Sequence, residues 1–178
     1  MKFLKIFTTV ISITFAIDSP AQVVVPNNLL NKFVGTWRWT SGTDTVEIVL
    51  EKQVFIIEMT GSHSEQLVGW HKYVKNGIIN QSSYQYIGRN VNLESDSSNV
   101  DLKTTLQGTT HANNPNQVYF YSFWDVVLHM NFNIFFTLQP GSTTKANWVL
   151  RQPRGLYVGP PGLNGVFTLP KQLVLTKQ

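Results

Sequence analysis

Four histidines, ten acidic residues and no cysteine are the raw material from which this chain would have to build catalytic or metal chemistry. His63, His71, His111 and His129 fall into no His-x-His, His-x-x-x-His or His-Glu-x-x-His pattern. A zinc site would need ligands converging from unrelated strands, so the spacing predicts no metal. Glu94, Asp96 and Asp101 cluster in "NLESDSSNVD", but without EF-hand spacing, and Ser/Asn/Asp runs of this kind form ordinary turns. No two carboxylates are placed for glycoside hydrolysis, and no serine sits in a Gly-x-Ser-x-Gly elbow. The glycines between 155 and 165 lack the lysine and following helix of a phosphate-cradling loop. The expectation is a protein that is not an enzyme and carries no cofactor.

What the chain holds in surplus is aromatic surface: 11 Phe, 6 Tyr and 5 Trp. In "VYFYSFWD", residues 118–125, strict alternation puts Val118, Phe120 and Trp124 on one side and Tyr119, Tyr121 and Phe123 on the other. A strand apolar on both faces is buried twice, or turns one face to a ligand or partner. Tyrosine suits the second role, because its ring buries area while the hydroxyl reaches a polar atom. Trp39 follows Trp37 by two residues and so shares its face, either in the core or lining a cavity. Trp70 and His71 take opposite faces, and His129 joins Asn131 and Asn133 in a polar row facing a cavity or water. Trp39, Trp70, Tyr119, Tyr121 and His129 are therefore the candidate ligand-binding residues, for a small apolar or aromatic ligand. The alternative is a non-enzymatic cell-envelope module that uses its aromatic strand on protein or glycan.

Strands must position these side chains, because the hydrophobic signal has a period of two. Val46, Ile48 and Leu50 share one face, and in "VVLHMNFNIFF" the residues Val126, Leu128, Met130, Phe132, Ile134 and Phe136 do the same. Asn76-Gly77 between two β-prone runs predicts a type I′ hairpin over residues 67–84. "SGTD" (41–44) and "QPGSTTK" (139–145) read as turns, "GTTHANNPNQ" (108–117) as a loop, and "QPRGLYVGPPGLNG" (152–165) as irregular chain. "PNNLLNKFVG" (26–35) allows one or two helical turns with Asn27 or Asn28 as N-cap. Eight to ten strands at hairpin spacing predict an all-β fold: an antiparallel up-and-down barrel with a short N-terminal helical turn, or a β-sandwich.

Residues 1–21 read as a signal peptide. Lys2 and Lys5 precede an apolar run from Ile6 to Ile17, and Ala21 offers a small residue for cleavage. That run is shorter than the roughly 18–20 residues that span a bilayer, so no transmembrane segment is expected after cleavage. Residues 22–178 would then form a single β-barrel domain, exported to the periplasm, the cell surface or the medium. Without cysteine, its stability must come from apolar burial. A net charge of +4 spread along the chain leaves no basic cluster of the kind that binds nucleic acid.

"FVGTWRWTSGTDTVEIVLEKQ", "LVGWHKYVKNG" and "FTLPKQLVLTKQ" together resemble an uncharacterised family of small exported proteins from Bacteroidota-type bacteria, a domain of unknown function. More distantly, Gly35-Thr36-Trp37 is similar to the Gly-x-Trp opening of lipocalins and other calycin barrels. That likeness implies a lipocalin-like barrel in which Gly35 and Trp37 form the floor, with the indole packed against a cation from a late strand. Arg151 in "WVLRQ" is the first candidate for that cation, with Arg154 and Lys177 as alternatives.

Overall fold

A computed structural model describes residues 24–57, 62–90, 106–125, 127–128, 130–152 and 167–178. The strands are β1 (Val24–Val25), β2 (Gly35–Ser41), β3 (Asp44–Ile57), β4 (Ser62–Lys75) and β5 (Ile78–Ser82). They continue with β6 (Leu106–His111), β7 (Asn114–Asp125), β8 (Met130–Leu138), β9 (Lys145–Arg151) and β10 (Gln172–Lys177). Short 3-10 turns occupy Asn28–Leu30 and Tyr84–Tyr86. Among the described residues no helix is long and apolar enough to cross a membrane.

Eight of the strands close into an antiparallel barrel in the order β4-β3-β2-β10-β9-β8-β7-β6. Closure comes from β6 returning to β4 through Leu67↔Gly108, Val68↔Gln107 and Gly69↔Leu106. A sandwich would leave open edges there; the barrel removes them. One edge of β4 pairs with β3 along its whole length. Its other edge is shared in three pieces, by β1 at His63 and Ser64, by β6 at Leu67 to Gly69, and by β5 from Lys72 to Lys75. Gly108 takes part in that closure and also pairs with β7 on its other side. A Cβ there would stand 2.4 Å from the Tyr119 carbonyl oxygen and 2.7 Å from the Phe120 Cα, so glycine is what lets β6 and β7 approach at this point.

Period two fixes the interior as expected. Trp37, Ile48, Leu67, Phe120, Phe136 and Trp148 point inward and are at most 1% exposed, and each such burial contributes about 1.5–3 kcal/mol. The floor is sealed locally. Leu30 and Phe33 enter from the 3-10 turn, the Trp37 indole donates to the Phe33 carbonyl at 2.7 Å, and its edge meets Phe136 at 4.9 Å. Lys177 of β10 supplies the cation over the Trp37 ring, at 5.5 Å. Its aliphatic stem crosses Gly35, where φ is +123° and a Cβ would sit 3.0 Å from the Lys177 Cε.

Arg151 is not that cation, and the register says why. β9 runs away from the floor, so Lys145 starts near it and Arg151, opposite Asn133, ends at the other rim facing outward. Arg154 lies outside the described residues. Three further expectations change. Residues 108–117 are not a loop: β6 continues to His111 and β7 starts at Asn114, with a tight turn between. The run from Val126 is not one strand. Asp125 Oδ1 accepts from the Val127 and Leu128 amides at 3.0 and 3.1 Å, an Asx turn that ends β7, and β8 begins at Met130. Finally, an irregularity in β7 between Phe120 and Phe123 breaks the alternation, so Phe123 joins Phe120 inside while Trp124 moves to the opposite face.

The Asn76-Gly77 hairpin and the turn after Ser41 are present as expected, with φ of +52° at Asn76, +77° at Gly77 and +58° at Gly42. Opposite the floor, Phe167 and Leu169 fold over the rim, the Phe167 ring 5.0 Å from Phe132.

Candidate functional site

The outward positions of β7, β8 and β9 meet in register as Tyr119↔Phe135, Phe135↔Val149 and Asn133↔Arg151. Because alternate residues of the same strands fill the core, these side chains are held on a rigid wall. They line a groove of about 520 Å³. Its aromatic base is the Tyr119–Phe135 pair, ring centroids 5.2 Å apart and tilted by 38°. The Arg151 guanidinium covers Phe135 at 4.8 Å and makes no ion pair among the described residues. Gln117 donates to Thr137 Oγ1 at 2.8 Å and accepts from the Asn114 side-chain amide at 3.2 Å, and it lines the groove together with His111. Gln152 closes the other end with a buried side-chain nitrogen that has no hydrogen-bond partner among the described residues.

Of the candidates named from the sequence, only Tyr119 lines this groove, joined by Arg151 in a role the sequence did not suggest. Trp39 lines a separate cleft of about 440 Å³ with Trp148, Leu173 and Val174. That cleft exists because β2 and β10 pair only at Arg38 and Trp37 and then part. Trp70 does not face the interior. It is fully buried on the outer wall beneath Phe55, Val68 and Tyr86, a second small core under the Tyr84–Tyr86 turn. Tyr121 lies on the outer wall and donates its hydroxyl to Gln66 Oε1. Burial pushes its phenol pKa up, so it remains a donor. His129 and the Glu94, Asp96 and Asp101 cluster lie outside the described residues.

Phe135 is the groove residue that the sequence reading passed over. The signal was available: it is the apolar residue on the polar face of β8, beside Phe136 on the apolar one. Gln152 carries no local signal, since its placement depends on how the end of β9 meets the neighbouring strands.

The wall over β2–β4 is organised differently. Glu47 accepts from Arg38 Nε at 2.6 Å and from the Tyr84 hydroxyl at 2.8 Å, with Lys72 Nζ 3.7 Å away. Burial acts to raise the Glu47 pKa, but these hydrogen bonds and the Arg38 and Lys72 charges outweigh it and hold the carboxyl below its ordinary value. Burial and the same carboxylate drive the Tyr84 phenol far upward. Beyond the floor, on the side of β3 and β4 that carries Leu50 and Leu67, Glu65 binds Lys52 at 2.9 Å and the Asn27 amide at 2.7 Å.

A buried polar chain spans the gap between β5 and the upper end of β7. Ser83 Oγ accepts from the His71 amide at 2.9 Å and stands 3.4 Å from its ring Nδ1. His71 Nε2 faces Gln81 Oε1 at 3.2 Å, Gln81 donates to Thr168 Oγ1 at 2.5 Å, and the Thr168 hydroxyl donates to Asp125. Ser83, His71 and Asp125 are each 0% exposed. A nucleophile and base so enclosed reach no substrate; the chain instead ties the segment over the rim to the barrel wall. Among the described residues no three His, Cys, Asp or Glu side chains group as metal ligands.

Over residues 1–178 the chain matches the model of a family of unknown function (DUF6705). The chain belongs to that family. No curated protein and no solved structure matches it.

Proposed function

We propose that this protein is an exported, non-enzymatic binding module that takes a saccharide against the outer wall of its barrel. The observation that carries the reading is the Tyr119–Phe135 pair at the base of a groove edged by Gln117, Asn133 and Gln152. A sugar ring offers an apolar C–H face that stacks on an aromatic ring. Its hydroxyls both donate and accept, and a side-chain amide matches both functions in one group. The groove is open and shallow, which suits a segment of a chain better than an enclosed molecule. Export rests on Lys2, Lys5, the Ile6 to Ile17 run and Ala21, which make the N-terminal segment resemble a cleaved leader.

A small apolar ligand is the second reading, and it moves from the interior to the cleft at Trp39, because large side chains fill the inward positions. Both readings are separated by calorimetric titration of the protein with a panel of neutral and acidic oligosaccharides and with an apolar naphthalene probe. Saccharide binding that weakens at least 10-fold in Tyr119→Ala and Phe135→Ala, and is untouched in Trp39→Ala, is the expected result. Saccharide binding indifferent to Tyr119 and Phe135, or none across the panel, overturns it. Protein recovered from the cell envelope should begin at Gln22; recovery from the cytoplasm with Met1 intact overturns export.

A further inference from the structure

The groove does not end at Arg151. A second depression of about 330 Å³ begins on the far side of the same residue, sharing Arg151 and Gln152 and continuing over Val149, Phe167, Lys171 and Gln172. Leu150 donates its amide to the Lys171 carbonyl at 2.8 Å, which fixes the start of β10 beside the end of β9. Two cations therefore flank one buried amide, and each is propped on a ring: Arg151 on Phe135 at 4.8 Å and Lys171 on Phe167 at 5.8 Å. Neither forms an ion pair among the described residues, and no acidic side chain is among the described lining of either depression. The Gln152 nitrogen between them is buried and unpartnered among the described residues. A buried donor without an acceptor is costly to a fold unless something supplies the acceptor.

We propose that this junction is an anion site, and that the saccharide taken by the groove is acidic, bearing a carboxylate or sulfate that settles between Arg151, Lys171 and the Gln152 amide. This rests on the saccharide reading above and adds the substrate class to it. All three groups are donors, and an anion is what accepts from all three at once. Arg151 provides a planar fork that matches a carboxylate or sulfate edge, while Lys171 adds a point charge from the opposite side. The rings beneath the two cations fix their heads without neutralising them, since a cation over a ring keeps its outer donors free. The uncharged part of the ligand then runs down the wall over Tyr119 and Phe135.

The test titrates the full protein with oligogalacturonate and with the same oligomer methyl-esterified, which removes charge and keeps the ring and its hydroxyls. A sulfated oligosaccharide and its desulfated form make a second pair, separating carboxylate from sulfate. At least one acid should bind 10-fold or more tighter than its neutral partner, and 0.5 M NaCl should erase most of that advantage. Arg151→Gln and Lys171→Gln should each reduce the ratio of acid to neutral affinity at least 3-fold, and Lys171→Gln, outside the lining of the Tyr119–Phe135 groove, should do so with the affinity for the neutral partner unchanged. Gln152→Leu, which removes the donor and keeps the bulk, should weaken the acid more than its neutral partner. Equal binding of acid and neutral forms, lost in Tyr119→Ala, overturns the anion site and leaves the saccharide groove standing. An acid preference that survives in both cation variants places the charge elsewhere and overturns it too. Failure of every saccharide to bind overturns both readings together.

Discussion

On the outer wall formed by β2, β3 and β4, Arg38, Lys72 and Tyr84 converge on Glu47. Trp70 on the same wall is closed under Tyr86 and Phe55. On the wall formed by β7, β8 and β9 the same classes of side chain are left open. Tyr119 and Phe135 pack against each other, and the Arg151 guanidinium over Phe135 has no carboxylate beside it among the described residues. Both walls rest on one core, so core packing does not explain the difference. Charges that pair with each other contribute to stability; a cation left without a carboxylate is available to something outside the chain.

That contrast can be broken at three places. The largest effect belongs to Trp70→Ala, which empties the second core and should cost about 3–5 kcal/mol, read as a drop in the urea midpoint. Saccharide titration on the folded fraction should be unaltered; a loss of binding there would show that the walls are not independent. Next comes Glu47→Gln, expected to cost about 1–3 kcal/mol because Arg38 and Lys72 lose their acceptor's charge. Its pH signature has a defined sign. A carboxyl held below its ordinary value in the fold stabilises fully above the unfolded value, about 4.3, and that stability is lost as pH falls through the folded value. Stability, measured by urea denaturation from pH 7 down to pH 3, should therefore fall more steeply for the wild type than for Glu47→Gln, and parallel curves would contradict the pairing. The smallest effect is Arg151→Gln, which should move stability by less than about 0.5 kcal/mol. A larger loss would mean that Arg151 serves the fold.

Much of the barrel was legible because its signals are local. Val46, Ile48 and Leu50, the Phe132 to Phe136 alternation and the Asn76-Gly77 turn each settle their geometry within a few residues. Trp37 and Gly35 were legible as floor elements, but the partner cation was not. Choosing between Arg151 and Lys177 requires the β9–β10 and β10–β2 registers, which no short stretch encodes. The irregularity between Phe120 and Phe123 defeated face counting in the same way: one displaced residue reverses every later assignment, and so Phe123 and Trp124 exchanged sides. Of the candidate site, Tyr119 could be read as an outward ring. Its neighbours Phe135, Arg151 and Gln152 come from other strands, and only the closed sheet brings them within reach.

The seam between β2 and β10 has a consequence in time. It holds just two registered pairs, Thr176↔Arg38 and Lys177↔Trp37, reinforced by the Gln178 amide on the Thr36 carbonyl at 2.9 Å. Strands β2 to β9 precede β10 in the chain, and without it β2 and β9 would each have an unpaired backbone edge. Contacts separated by nearly the whole domain also close slowly, because the loop entropy must be overcome first. The last strand is thus a clasp: β2 and β9 meet only through β10, and its pairing with both is what turns an open sheet with two bare edges into a barrel.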